Sequence, residues 1–237
     1  MRKSQRLNIF LTEFLPPIIM AVISIIVYII LKVTKASFAA PEQAFLYMII
    51  CFIPCFLYIV TAGYLRFPLA LKIGLYGYFF CSNLLATTFN IYTYVPFFDT
   101  ILHTAFGYLC GYLLIYILSL FGDYSKLSFC MKVLITLFFT AGIGAFWEVA
   151  EYTVDILTYA NSQHEIETGL LDTMQDTFCN LCGACLFALH QVLDHFLFKD
   201  KYFMGARKLL EPIRKNKQKD QEEKEQEEER VISDEEK

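Results

Sequence analysis

Between Phe14 and Phe198 the chain is a succession of long apolar runs, nearly free of charge and separated by short polar breaks. A run of ~20 such residues, wound as an α-helix, crosses the hydrocarbon core of a bilayer. The sequence therefore predicts an all-α fold: a polytopic membrane helical bundle of about six transmembrane helices, followed by a charged cytoplasmic C-terminal tail. The spans read as Phe14–Leu31, Ala44–Gly63, Leu69–Asn90, Phe98–Phe121, Leu127–Leu157 and Leu171–Phe198. Tyr92, Tyr94, Phe97 and Phe98 cluster where an interfacial aromatic belt belongs.

Composition argues the same way. The chain has 237 residues, 56% of them hydrophobic, more than a soluble domain of this length carries. Its charge is concentrated in the last 40 or so positions, so the net charge of −4 averages an apolar body with an acidic tail. Residues 1–198 form one membrane domain, and 199–237 a basic juxtamembrane segment with an acidic extension. The stretch from Lys199 to Lys219 is expected to lie on anionic lipid headgroups at the cytoplasmic face. Beyond Lys215 the Lys/Gln/Glu blocks have too little apolar surface for a core and are expected to be disordered or a solvated helix. The partners implied are thus the lipid bilayer and anionic lipids, with no nucleic acid. The eight cysteines all fall in apolar runs and read as small packing residues. Cys179, Cys182 and Cys185 have a metal-like spacing, but beside Gly183 and Ala184 they read as small-residue helix packing.

Loop charge sets the orientation. Arg2, Lys3 and Arg6 precede the first span; Arg66 and Lys72 lie in the second loop, Lys126 and Lys132 in the fourth, and Lys199, Lys201, Arg207 and Lys208 follow the last span. Of the alternate loops, the first has Lys32 and Lys35, while those near Tyr92 and Gln163 have neither Lys nor Arg. The positive-inside rule places both termini in the cytoplasm. Ser37-Phe38-Ala39 offers a signal-cleavage site, but the long first run and the Lys32 and Lys35 after it favour a retained span.

Charge inside a span is expensive and marks function by default. Three sets occur, all in spans four to six. Asp99 and His103 share one face of the fourth span at i, i+4. Glu148, Glu151 and Asp155 form a stripe at the end of the fifth. Asp172, Asp176 and Asn180 form another at the start of the sixth. The predicted topology puts all three in the outer half of the membrane, facing a common outward cavity. So many carboxylates cannot all stay ionised in a low dielectric; protons or cations must neutralise them. Oxygen-rich ligands with one imidazole suit a divalent metal of unspecified identity, and no organic cofactor is indicated. The ligands expected for it are Asp99, His103, Glu148, Glu151, Asp172 and Asp176. Glu148, Glu151 and His103 carry the catalytic expectation, as general base, ligand or proton shuttle. Asn180 and Asp155 are the expected substrate contacts. Three have a plainer reading: Asp99 as a helix cap, Asp172 with Gln175 as a capping box, Asp155 as a solvated helix end.

Other polar residues carry less. His164, Glu165 and Glu167 belong to an outer loop, His190 and His195 to the cytoplasmic end of the last span, and Asn83 and Asn90 to packing or the cavity rim. No P-loop, dinucleotide-binding glycine pattern or Ser-His-Asp pattern is present.

The series Asp99-x-x-x-His103, then Trp147-Glu148-x-x-Glu151-Tyr152-x-x-Asp155, then Asp172-Thr-Met-x-Asp176-x-x-x-Asn180-x-x-Gly183-Ala184 resembles the YjdF-like family of bacterial inner-membrane proteins. A remoter similarity is to VanZ-like membrane proteins, which show a comparable early Asp and His, a mid-chain Glu and a late Asp-x-x-x-Asn-x-x-Gly. The resemblance implies a bacterial plasma membrane and supplies no established reaction. Three expectations follow: a metal-dependent hydrolase or transferase acting on a lipid-linked or envelope substrate; a cation- or proton-coupled transporter, disfavoured by inner halves of spans four to six that read as mostly apolar; and a non-catalytic membrane scaffold that docks through its tail.

Overall fold

The computed structural model describes residues 7–36, 39, 41–61, 67–95, 97–121, 127–158 and 170–198. Its elements are all helical: α1 Leu7–Thr34, α2 Pro41–Cys51 and α3 Ile53–Val60, α4 Leu69–Thr88, then a one-turn α5 Ile91–Tyr94, α6 Phe98–Phe121, α7 Phe129–Thr158 and α8 Leu170–Leu197. Among the described residues there is no strand. The calls on Arg2, Lys3, Arg6, the cleavage site at Ser37-Phe38, Arg66, Lys126, His164, Glu165, Glu167 and everything from Lys199 onward lie outside the described residues.

Each predicted span corresponds to helix, and the fold is a helical membrane bundle. α1, α4, α6 and α7 contain stretches long and apolar enough to cross a membrane. The second span is a shorter apolar stretch, Ala44–Val60. It breaks at Phe52 because Pro54 has no N–H to return to the preceding turn. α8 has the length, 28 residues, but carries Asp172, Asp176 and Asp194 along it.

The bundle is polar where soluble proteins are apolar. Ile25, Ile26, Ile29, Ile30 and Val33 of α1, and Phe138, Phe146 and Val149 of α7, are exposed, while Glu13, Lys72, His103, Glu148, Asp176, Asn180, Gln191 and Asp194 are buried. That inversion is the arrangement lipid demands.

Helix contacts fix the layout. α1 packs on α2, α2 on the second half of α4, α4 on α6, and α8 against both α6 and α7. Tyr47, Cys51, Tyr76 and Leu84 form the core of the first half; Leu71 and Tyr116 join α4 to α6. Thr100 meets Gln175, His103 meets Asn180 and Tyr108 meets His190, so α6 and α8 run parallel. Phe129 stacks on His195, Thr136 meets Gln191 and Gly144 faces Asn180, so α7 runs antiparallel to α8. The N-terminal ends of α6 and α8 and the C-terminal end of α7 therefore share one end of the bundle.

One reading from the sequence is corrected here. Membrane-depth charge is not confined to spans four to six. Lys72, counted above as a loop charge, is buried in α4 and pairs with buried Glu13 of α1 at 2.5 Å. The helix reaches back to Leu7, which brings Glu13 inside it. Pro16 cannot donate to the carbonyl of Thr12 four residues earlier, and that oxygen accepts from Lys72 Nζ at 3.1 Å instead. The chain winds as a π-helix over Phe10–Phe14, just before the proline pair. Lys132, also counted as a loop charge, is a half-buried residue of α7.

Candidate functional site

The three polar stripes meet at the shared end of α6, α7 and α8, and glycines let them approach. A Cβ on Gly107 of α6 would collide with the carbonyl of Asn180, and one on Gly183 of α8 would collide with the carbonyl of Thr104. The two helices thus cross backbone to backbone, the close packing small residues permit in membranes. From the other side, a Cβ on Gly144 of α7 would lie 3.1 Å from Asn180 Nδ2. Asn180 is therefore held where the three helices come together, buried to 1% exposure.

His103 stands one turn into α6. Its Nε2 lies 3.6 Å from Asp99 Oδ1 on its own helix and 3.5 Å from Asp176 Oδ2 on α8. Ligand atoms of Asp99, His103 and Asp176 all fall within 4.8 Å of one another. Metal–oxygen and metal–nitrogen bonds run ~2.0–2.6 Å, so one cation set between the three atoms reaches each of them. His103 and Asp176 are buried and Asp99 is half-buried, so the group opens toward the end of the bundle.

Asn180 sits behind the imidazole, its Nδ2 3.3 Å from His103 Nδ1, while its Oδ1 has no hydrogen-bond partner among the described residues. A carboxamide turned about its last torsion exchanges those two atoms. Turned so, Oδ1 accepts from Nδ1–H, fixes the tautomer and frees the Nε2 lone pair for a cation, the second-shell arrangement of a ligating histidine. In the other orientation Nδ2 donates to Nδ1, and the proton then sits on Nε2, beside the two carboxylates. The carboxamide can thus serve both states of the imidazole without moving its backbone.

Glu148 lies one turn beyond Gly144 on the same face of α7 and is 6% exposed. It is within electrostatic reach of Asp99 and Asp172. Glu151 is half-buried, and its Oε1 accepts from Trp147 Nε1 at 2.9 Å. Trp147 in turn packs on Phe106, which packs on Tyr78 of α4, so aromatic rings wall one side. Of the six expected ligands, Asp99, His103 and Asp176 form the compact group; Glu148, Glu151 and Asp172 stand outside it at the same end. Asp155 is half-buried two turns past Glu148. Gln175 reaches Thr100 Oγ1 at 3.4 Å, a contact between α8 and α6.

The remaining sequence candidates are placed as follows. Cys179 is buried, Cys182 half-buried and Cys185 exposed, so they fan around α8 and gather no ligand set. Asn83 contacts Ser82 Oγ at 2.9 Å within its own helix turn. Asn90 adopts a left-handed backbone conformation at the end of α4 and is exposed there. The small-residue packing read at Gly183 is present, while sequence reasoning missed the Glu13–Lys72 pair, the contacts of Gly107 and Gly144, and a set of buried polar groups on α7 and α8: Thr136, Thr140, Gln191 and Asp194. Their signal was present as spacing, since Lys132, Thr136, Thr140, Gly144 and Glu148 recur every fourth residue. Hydroxyls and glycine do not stand out in a hydropathy reading.

The family model described as predicted membrane protein DUF2238 matches residues 16–195. The chain belongs to that family. The DUF2238 match takes in both halves of the bundle, from the proline pair of α1 to His195 near the end of α8. No curated protein matches the chain, and no solved structure does.

Proposed function

We propose that the Asp99, His103 and Asp176 group is the divalent-cation centre of a membrane-embedded hydrolase or group transferase. The observation that carries this reading is the grouping itself: three ligand-bearing side chains from two helices within 4.8 Å, with a carboxamide set to fix the histidine tautomer. Three protein ligands leave coordination positions for water and substrate, as catalytic rather than structural sites do. A bound cation would offset the carboxylate charge and supply Lewis acidity. Around it, Glu148 is the general base, and Asp99 and Asp176 hold the positive charge at the site. Asp155 and Asp172, half-buried at the rim, would meet the polar part of a substrate.

Asp99 lies in the first turn of α6 and Asp172 in the first turn of α8, which supports a depth near the membrane surface. A lipid-linked or envelope substrate with its reacting group at headgroup level fits that depth. By the positive-inside argument this end faces outward, across a bacterial inner membrane, with both termini cytoplasmic.

The test is metal content of detergent-purified protein prepared without chelators, followed by Mn²⁺ titration of wild type, His103→Ala and Asp176→Asn. Expected is one ion per chain in the wild type and its loss in both variants. Wild type that neither retains metal nor binds Mn²⁺ refutes the reading.

A further inference from the structure

Below the candidate site, the seam between α7 and α8 stays polar. On α7, Thr136 is 0% and Thr140 1% exposed; on α8, Gln191 is 5% and Asp194 1% exposed. Asn180 and Gly144 close the seam at the site end. From Asn180 to Asp194 the helix rises ~21 Å, and from Gly144 to Lys132 ~18 Å. The polar seam therefore covers more than half of a ~30 Å hydrocarbon core. Buried polar side chains at that depth are costly without a task.

We propose that this seam is a proton wire that joins the face of the membrane near Asp194 to the polar end of the bundle. It goes beyond the cation-centre reading and requires no cation in the site. Its rungs are one helical turn apart, ~6 Å, a gap that a single hydrogen-bonded water spans. Thr136 Oγ1 donates to the Lys132 carbonyl at 2.8 Å and lies 3.4 Å from Gln191 Oε1. Thr140 Oγ1 is buried and has no hydrogen-bond partner among the described residues. The α7–α8 register sets Thr140 level with Ala184 and Ala188, both small, between the rungs at Gln191 and Asn180. An unpartnered buried hydroxyl beside small side chains is where a water belongs.

The division of labour follows from donor and acceptor chemistry. Hydroxyls and waters accept one proton while releasing another, so Thr136 and Thr140 can relay. The Gln191 amide orients its neighbours. Asp194 is the entry carboxylate. Among the described residues, ionisable groups at this end include His190, held by Tyr108 OH at 2.6 Å and in electrostatic reach of Asp194; His195, stacked on Phe129; and Lys132, one turn below Thr136. Hydronium at one face gives its proton to the wire and is left as water, and a water at the other face takes a proton up. Each hop makes one O–H bond and breaks another, and nothing is oxidised or reduced.

The experiment reconstitutes the full chain into vesicles of neutral lipid with an internal pH-sensitive dye and a potassium ionophore for charge balance, then imposes a pH step. Wild-type vesicles are expected to dissipate the step at least tenfold faster than protein-free vesicles. Thr140→Val and Asp194→Asn should remove that excess, and Thr140→Ser should keep it. Wild-type flux equal to protein-free vesicles overturns the wire, as does undiminished flux in Thr140→Val. Mn²⁺ titration of the same samples separates the two readings. Thr140→Val that binds Mn²⁺ like wild type, yet holds the pH step, locates the loss in the seam and shows the bundle intact. Flux without Mn²⁺ binding in the wild type upholds the wire and removes the cation centre.

Discussion

Gly107→Ala tests the geometry of the three-helix contact most directly. The added Cβ would overlap the carbonyl oxygen of Asn180 and stand 2.9 Å from its carbonyl carbon and 3.1 Å from its Cα. Ordinary carbon–carbon contact is ~3.5–4.0 Å, and backbone has no rotamer to turn aside. α6 and α8 must part by roughly 1.2–1.5 Å at this level, because the tightest overlap, 2.1 Å to the carbonyl oxygen, has to open to a C···O contact of ~3.3–3.6 Å. Overpacking of this kind costs about 1–3 kcal/mol, and at ~2–4 °C per kcal/mol for a chain of this size the melting temperature should fall by about 5 °C. The site should suffer too. Asn180 already lies 3.3 Å from His103 Nδ1, so parting the helices takes the pair out of hydrogen-bond range. Loss of such a second-shell partner costs about 10–100-fold in metal affinity. Gly77→Ala and Gly142→Ala are the controls: a Cβ at either position meets nothing within 4 Å, and alanine is the better helix former. Thermal unfolding in detergent, read by size-exclusion chromatography, with Mn²⁺ titration alongside, checks both effects. Gly107→Ala that melts and binds Mn²⁺ like the two controls would refute the backbone contact.

The buried pair in the first half should be costly to break on one side. Lys72→Met leaves the Glu13 carboxylate buried without its cation and is expected to lose about 3–5 kcal/mol, while Lys72→Met with Glu13→Gln recovers most of it; thermal melts of the two singles and the double decide this through the cycle. Tyr108→Phe removes the hydroxyl at 2.6 Å from His190 Nδ1, and a melting temperature lower by ~3 °C with an unchanged elution profile is expected.

The fold was legible because hydrophobic runs and their lengths are local facts. α6, α7 and α8 start and stop within two residues of the bounds that hydropathy suggests. α1 runs Leu7–Thr34 where hydropathy gives Phe14–Leu31, since the charge of Glu13 lowers the local hydropathy and its partner does not enter it. In the structure the prolines leave a carbonyl free for Lys72, and a partner 60 residues away is not visible in a local window. The polar stripes were legible for a different reason. Carboxylates and histidine in an apolar helix are conspicuous, and i, i+4 spacing gives their face. Which of them would come within ligand distance was not legible, because that depends on where Gly107, Gly144 and Gly183 let three backbones approach.

That dependence explains why glycines and charges alternate along the same helices. Helices in lipid gain little from burying apolar surface against one another, so close packing and interhelical polar contacts must hold them. A buried carboxylate or imidazole in turn needs a partner within hydrogen-bond reach, which only close helices provide. Gly107 and Gly183 bring α6 to α8 beside His103 and Asp176; Gly144 brings α7 to Asn180 beside Glu148. Each glycine lies four to seven residues from the charged group it serves on its own helix, one to two turns deeper in the bundle. The contact is therefore tightest just below the charges, one to two turns in from the half-buried Asp99 at the end of the bundle.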